Sequence, residues 1–160
     1  MKYKCVNELD TFSFWGAQVQ KCEYNTDLLM MEVVGVVAKY SNPCNETFAD
    51  RYIDKTCVRF KNPNIRKFFL EGAKYYDANN VLQEEVADQD VAEDAYEETF
   101  HFLEGGAIFV LTPKDAAQEG KLCCEIAIDV GEEDTYWIEA EFDRAVLEWN
   151  NFLNKAQQER

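Results

Sequence analysis

The segment Leu28–Tyr40, LLMMEVVGVVAKY, constrains the fold more than any other, because it is Val-rich and almost wholly apolar. Such composition suits a strand buried on both faces. Before it, Thr11–Tyr24 (TFSFWGAQVQKCEY) alternates loosely in polarity, and Asn25-Thr26-Asp27 supplies a turn. The two segments read as a β-hairpin, with Gly16 at a bulge.

The remainder continues in the same manner. Ser41–Asn45 is a loop, Arg51–Phe60 alternates through Tyr52, Cys57 and Val58, and Pro63 breaks the pattern near its end. Ala107–Thr112 reads as a buried strand, and Leu122–Val130 with Tyr136–Phe142 reads as a hairpin across GEEDT. On the second of these strands Tyr136, Ile138, Ala140 and Phe142 share one face, while Trp137, Glu139 and Glu141 share the other. The fold expected is mainly β (α+β): an antiparallel sandwich or open barrel, forming a single domain over residues 1–160. A chain of 160 residues buries roughly 70% of its unfolded surface, so its core needs no disulfide or structural metal.

Charge is distributed unevenly. Residues 1–75 balance at +2 and residues 76–160 at −17, giving the net −15 of the chain. So acidic a half repels nucleic acid and anionic membrane and admits a basic protein partner. From Glu84 to Glu98 eight carboxylates fall in fifteen residues without Lys or Arg: Glu84, Glu85, Asp88, Asp90, Glu93, Asp94, Glu97 and Glu98. Within this run Ala92, Ala95, Tyr96, Thr99, Phe100 and Leu103 keep helical spacing. Asp90 fits the N-cap with Glu93 at N3, and Gly105-Gly106 stops the helix. One acidic amphipathic helix near 90–104 therefore accounts for much of the acidity.

Tests for catalytic motifs exclude the familiar ones. An EF-hand loop begun at Asp88 fails at Ala92, Glu93 and Thr99, where an Asp or Asn, the Gly and the bidentate Glu belong. His101 is the single histidine and lies off the apolar stripe, one turn after Glu97. No phosphate-binding, dinucleotide-binding, nucleophile-elbow or H-E-x-x-H pattern occurs. Cys5, Cys22, Cys44, Cys57, Cys123 and Cys124 form no C-x-x-C pair and read as reduced apolar side chains of a cytoplasmic protein. The N-terminus lacks the apolar run of a signal peptide, and no stretch is long enough for a membrane span. Neither a metal nor a cofactor is expected.

The C-terminal segment FDRAVLEWNNFLNKA, Phe142–Ala156, is the most distinctive piece. It resembles the ending F-D-x-x-x-x-E-W-[DN]-x-F of small Gram-positive bacterial proteins that often bear the inherited label "subtilin biosynthesis sensor protein". Phe142, Asp143, Glu148, Trp149, Asn150 and Phe152 match it, and FSFWGAQV and VRFKNPNI are also similar to that group. A sensor kinase needs a phosphoacceptor His and glycine-rich ATP motifs; one His and seven scattered Gly do not supply them. The resemblance thus implies no activity that can be transferred residue by residue. It does bear on structure, since the similar proteins have β-branched residues where this chain has Ala145-Val146-Leu147. That implies strand through Trp149, with Asp143-Arg144 as a turn and a short helical tail after it.

Two functions are expected from these residues. The first is a non-catalytic interaction module whose acidic half, through Glu84, Glu85, Asp88, Glu93, Asp94, Glu97 and Glu98, docks on a basic partner. A toxin-neutralising immunity protein is its concrete version. The second is a small carbohydrate- or ligand-binding or hydrolysing protein using Trp137, Glu139 and Glu141, with Glu125 across the hairpin. Carboxylates spaced about 5–9 Å apart suit glycoside hydrolysis.

Overall fold

The computed structural model describes residues 1–153. Their chain is mainly β, with every strand pair antiparallel. Short strands β1 (Tyr3–Val6) and β2 (Phe12–Ser13) precede the long hairpin of β3 (Gln18–Asn25) and β4 (Leu28–Val34). Next come β5 (Val37–Ala38), β6 (Arg51–Tyr52), β7 (Thr56–Lys61) and β8 (Asn64–Leu70). A separate hairpin of β9 (Ala73–Tyr76) and β10 (Leu82–Val86) leads to β11 (Gln89–Asp90) and the helix α1 (Tyr96–Phe102). A meander of β12 (Ala107–Lys114), β13 (Leu122–Val130) and β14 (Asp134–Phe142) follows, and β15 (Arg144–Trp149) then pairs with β7 and β1.

Ten of these strands form one large sheet in the order β1-β15-β7-β4-β3-β12-β13-β14-β8-β11. β3 and β12 share only the register pair Ala107↔Gln18. β4 buries Leu29, Met31 and Val33 on one face and leaves the other half-buried, whereas β13 buries successive residues, Cys123, Cys124, Ile126, Ala127 and Ile128, on both faces. Phe60 of β7 meets Phe142 of β14 at 4.9 Å between ring centroids. Phe100 of α1 lies 5.1 Å from Tyr24 of β3 and 4.5 Å from Phe68 of β8. The helix therefore joins two distant parts of the sheet through one buried ring.

Several expectations change. The apolar run Leu28–Tyr40 is not one strand: Gly35 takes φ +92°, and the chain leaves the large sheet for a three-stranded one made of β2, β5 and β6. Only glycine adopts that backbone without strain. Gly16, at φ +79°, makes a turn rather than a bulge, and the irregularity of β3 falls between Val19 and Lys21.

The acidic helix is shorter than expected. Asp90 lies in β11 opposite Phe69, and the next amide, Val91 N–H, donates to the Phe68 carbonyl at 2.8 Å. These ladder bonds hold Asp90 extended. A 3-10 turn, Glu93–Ala95, then begins at Ala92, and neither it nor α1 has a side-chain cap. The apolar stripe survives where packing decides it, with Phe100 and Leu103 fully buried and Gly105 at φ +89° ending the helix.

Strand through Trp149 is found as β15, with Asp143 at the turn. Directly after it Phe152 bridges to Ile53 instead of starting a helix. The remainder of the expected tail, from residue 154, lies outside the described residues.

Candidate functional site

The acidic run is distributed over three elements. Glu84 and Glu85 stand on β10, Asp88 follows it, Glu93 and Asp94 open the 3-10 turn, and Glu97 and Glu98 form the first turn of α1. All seven are exposed.

Most of the surroundings of Glu84 and Glu85 are unusual for a folded chain. Every residue from Lys74 to Asp90 is exposed, including Tyr75, Tyr76, Val81, Leu82 and Val86. An isolated two-stranded hairpin is marginal in water, and this one is held locally. At its tip Asp77 Oδ1 accepts the N–H groups of Asn79 (2.8 Å) and Val81 (3.0 Å), with Asn80 at φ +61°. At its base Asp88 Oδ1 accepts the Gly72 N–H at 2.7 Å. A Cβ at Gly72 would stand 2.0 Å from the Val86 carbonyl oxygen, so the base closes only around glycine. Between them Lys74 and Glu85 pair at 3.8 Å, both ends solvated. Glu84 stands opposite Tyr75 and Leu82 opposite Tyr76, so carboxylates and rings share the arm.

The Trp137 face is organised differently. Glu125 and Glu139 are direct cross-strand partners, an unfavourable arrangement for like charges. Lys114 resolves it by bonding Glu139 Oε1 and lying 3.5 Å from Glu125 Oε2. The bond to Glu139 holds the Lys114 ammonium above its ordinary range. Beside them Trp137 stands opposite Phe69, and with Lys67 these residues line a shallow pocket of about 110 Å³.

Glu141 takes no part in that pocket. It is 1% exposed and accepts N–H groups from Ala117 (2.7 Å) and Gln118 (3.0 Å) and the Arg66 guanidinium (3.1 Å). Its Oε2 anchors the loop between β12 and β13, while its Oε1 binds Arg66 of β8. The strand pattern that placed it beside Glu139 omits what crosses above the sheet.

Sequence reasoning missed Tyr75, Tyr76, Val81 and Leu82, and the cations Lys67, Lys114 and Arg66. The hairpin had a readable sign in YYDANNVL, an Asp-Asn turn between apolar residues. The cations had none, because only strand register brings them to the carboxylates.

The resembling C-terminal residues also find their places. Phe142 packs on Phe60, and Asp143 accepts Asn62 Nδ2–H at 2.7 Å and binds Lys121. Glu148 pairs with Arg59 at 2.9 Å. Trp149 stacks on Tyr3 at 5.5 Å, and Phe152 sets its edge against both rings. These contacts tie the C-terminal segment into the fold, and Phe142 also lines a cavity of about 220 Å³ with Leu9, Pro113 and Leu122. Comparison with protein-family models, with curated proteins and with solved structures returns no match.

Proposed function

We propose that the protein is a non-catalytic cytoplasmic interaction module that docks on a basic partner protein. The observation behind this reading is the exposed β9–β10 arm, which places Tyr75, Tyr76 and Leu82 among Glu84, Glu85 and Asp88. Carboxylates steer a cationic partner from a distance, and rings supply short-range affinity once desolvated. Glu93, Asp94, Glu97 and Glu98 extend the same field along the start of α1. An immunity-type role, capture of a basic toxin, fits this chemistry. So does kinship with the Gram-positive proteins that share the C-terminal pattern, since its residues serve the fold and imply no catalytic centre.

In this reading the large sheet folds over on itself as a sandwich that holds the arm. The Phe60–Phe142 contact and the shared Phe100 support such closure.

The carbohydrate reading has less support. Trp137 offers a platform, but Lys114 occupies both neighbouring carboxylates and Glu141 is spent on a loop. Saccharide-dependent quenching of tryptophan fluorescence, lost in Trp137→Ala, would reinstate it.

The deciding experiment uses the purified protein as bait in lysate at low and high salt, beside a variant with Glu84, Glu85, Glu97 and Glu98 changed to Gln. Retention of a basic protein by the wild type alone, released by salt, is expected. Capture that survives both the four changes and high salt overturns acidic docking.

A further inference from the structure

The six cysteines are not equivalent. Five are buried, and Cys44 alone is partly exposed, in the loop that follows β5. Its sulfur lies 3.7 Å from that of Cys5 on β1, although 39 residues separate them in the chain. The approach is built by Asn42, whose side chain is almost wholly buried. Asn42 Oδ1 accepts the Cys44 N–H at 2.9 Å, and its Nδ2 donates to Thr11 Oγ1 at 2.9 Å. The Cys5 thiol reaches the same Oδ1 at 3.7 Å. The loop is thus pinned with Cys44 over Cys5, and Cys44 Sγ also reaches the Lys4 carbonyl at 3.8 Å. β1 is an edge strand of the large sheet and, among the described residues, pairs with β15 alone, so its other edge faces the Cys44 loop rather than a further strand.

We propose that Cys44 and Cys5 are a peroxide-oxidisable dithiol, closing to a disulfide that ties β1 to the loop after β5. The Cys44 thiolate attacks one oxygen of hydrogen peroxide; the O–O bond breaks, Cys44 becomes a sulfenic acid, and the other oxygen leaves as water after protonation. The Cys5 sulfur then attacks the Cys44 sulfur. An S–S bond forms, the S–O bond breaks, and the Cys5 proton leaves with the oxygen as a second water. Two thiols are oxidised and one peroxide is reduced. Burial, with Cys44 beside it, pushes the Cys5 thiol up to about 12, which assigns the first attack to the exposed partner. Cys123 and Cys124 are successive residues on one strand and cannot pair this way.

The test treats the folded, fully reduced protein with hydrogen peroxide and reads intact mass and a non-reducing peptide map. The expected result is loss of two hydrogens, a cross-link joining the Cys5 and Cys44 peptides, and reversal by dithiothreitol. Cys5→Ser should stop at a sulfenic acid on Cys44 that dimedone traps, and Cys44→Ser should keep its thiols at the same dose. Circular dichroism verifies that both variants are folded, and the wild-type map decides alone if one is not. Oxidation of Cys44 to sulfinic acid without a cross-link, loss of another thiol first, or no oxidation at all overturns the proposal.

Discussion

Arg66 and Glu141 meet at 3.1 Å on the outer side of the sheet, the guanidinium partly solvated and the carboxylate almost wholly buried. The Gln118 N–H, then the Ala117 N–H and Arg66, hold the Glu141 carboxyl below the ordinary carboxylate range against its burial. A carboxylate depressed by folding stabilises above its unfolded pKa and loses that contribution as pH falls through its folded pKa. The β12–β13 loop should therefore stay protected at neutral pH and loosen only in acid, below the usual carboxylate range. Glu141→Gln should bring that loosening to neutral pH, read as faster proteolytic nicking near 115–120. Unchanged nicking would mean that the loop holds without its anchor.

Gly72→Ala should separate the arm from the body. The new methyl collides with the backbone of Val86, Ala87 and Asp88 rather than with a flexible side chain, so the base of the hairpin must open. Because the arm is exposed along its length, thermal unfolding should shift little, while any salt-sensitive capture of a basic partner should fall steeply. A large loss of thermal stability with capture intact would place the docking surface elsewhere.

The sequence made the long hairpins legible, because a strand that buries one face or both leaves a pattern of period two or a continuous apolar run. Leu28–Val34 and Tyr136–Phe142 are such cases. What it concealed was decided by distant partners. Asp90 looks like a helix cap until β8 offers it a ladder, and Glu141 looks like the neighbour of Glu139 until a loop folds over it. Gly35 ends a strand inside an almost wholly apolar run, since the next strand belongs to another sheet. The candidate site was half visible: the carboxylates announced themselves, whereas the exposure of Tyr75 and Tyr76 depends on how far the arm stands from the core, which no local pattern records.

Phe100 should be among the costliest positions to truncate. Its ring sits between Tyr24 and Phe68, and Tyr96 packs against both of these from the same helix. Phe100→Ala leaves a cavity that two distant parts of the sheet must share, at a cost of about 3–5 kcal/mol. Chemical denaturation would measure it. A loss below about 0.5 kcal/mol, within the range of ordinary surface changes, would mean that α1 is not integral to the core.

Trp149 offers the sharpest comparison because two costs oppose each other there. It is fully buried among Tyr3, Phe12 and Phe152, and among the described residues its indole N–H is the one buried side-chain polar group without a hydrogen-bond partner. Trp149→Ala should cost about 3–5 kcal/mol through lost packing. Trp149→Phe loses part of that volume but also removes an unsatisfied donor, whose burial costs about 1–3 kcal/mol. The Phe variant should therefore lose less than half of what Ala loses, and stacking on Tyr3 should persist. Equal losses in denaturant melts would show that the indole N–H contributes, through the face of a neighbouring ring, more than a missing partner implies. In that event the tryptophan of the E-W-N segment is held for its N–H as well as its bulk.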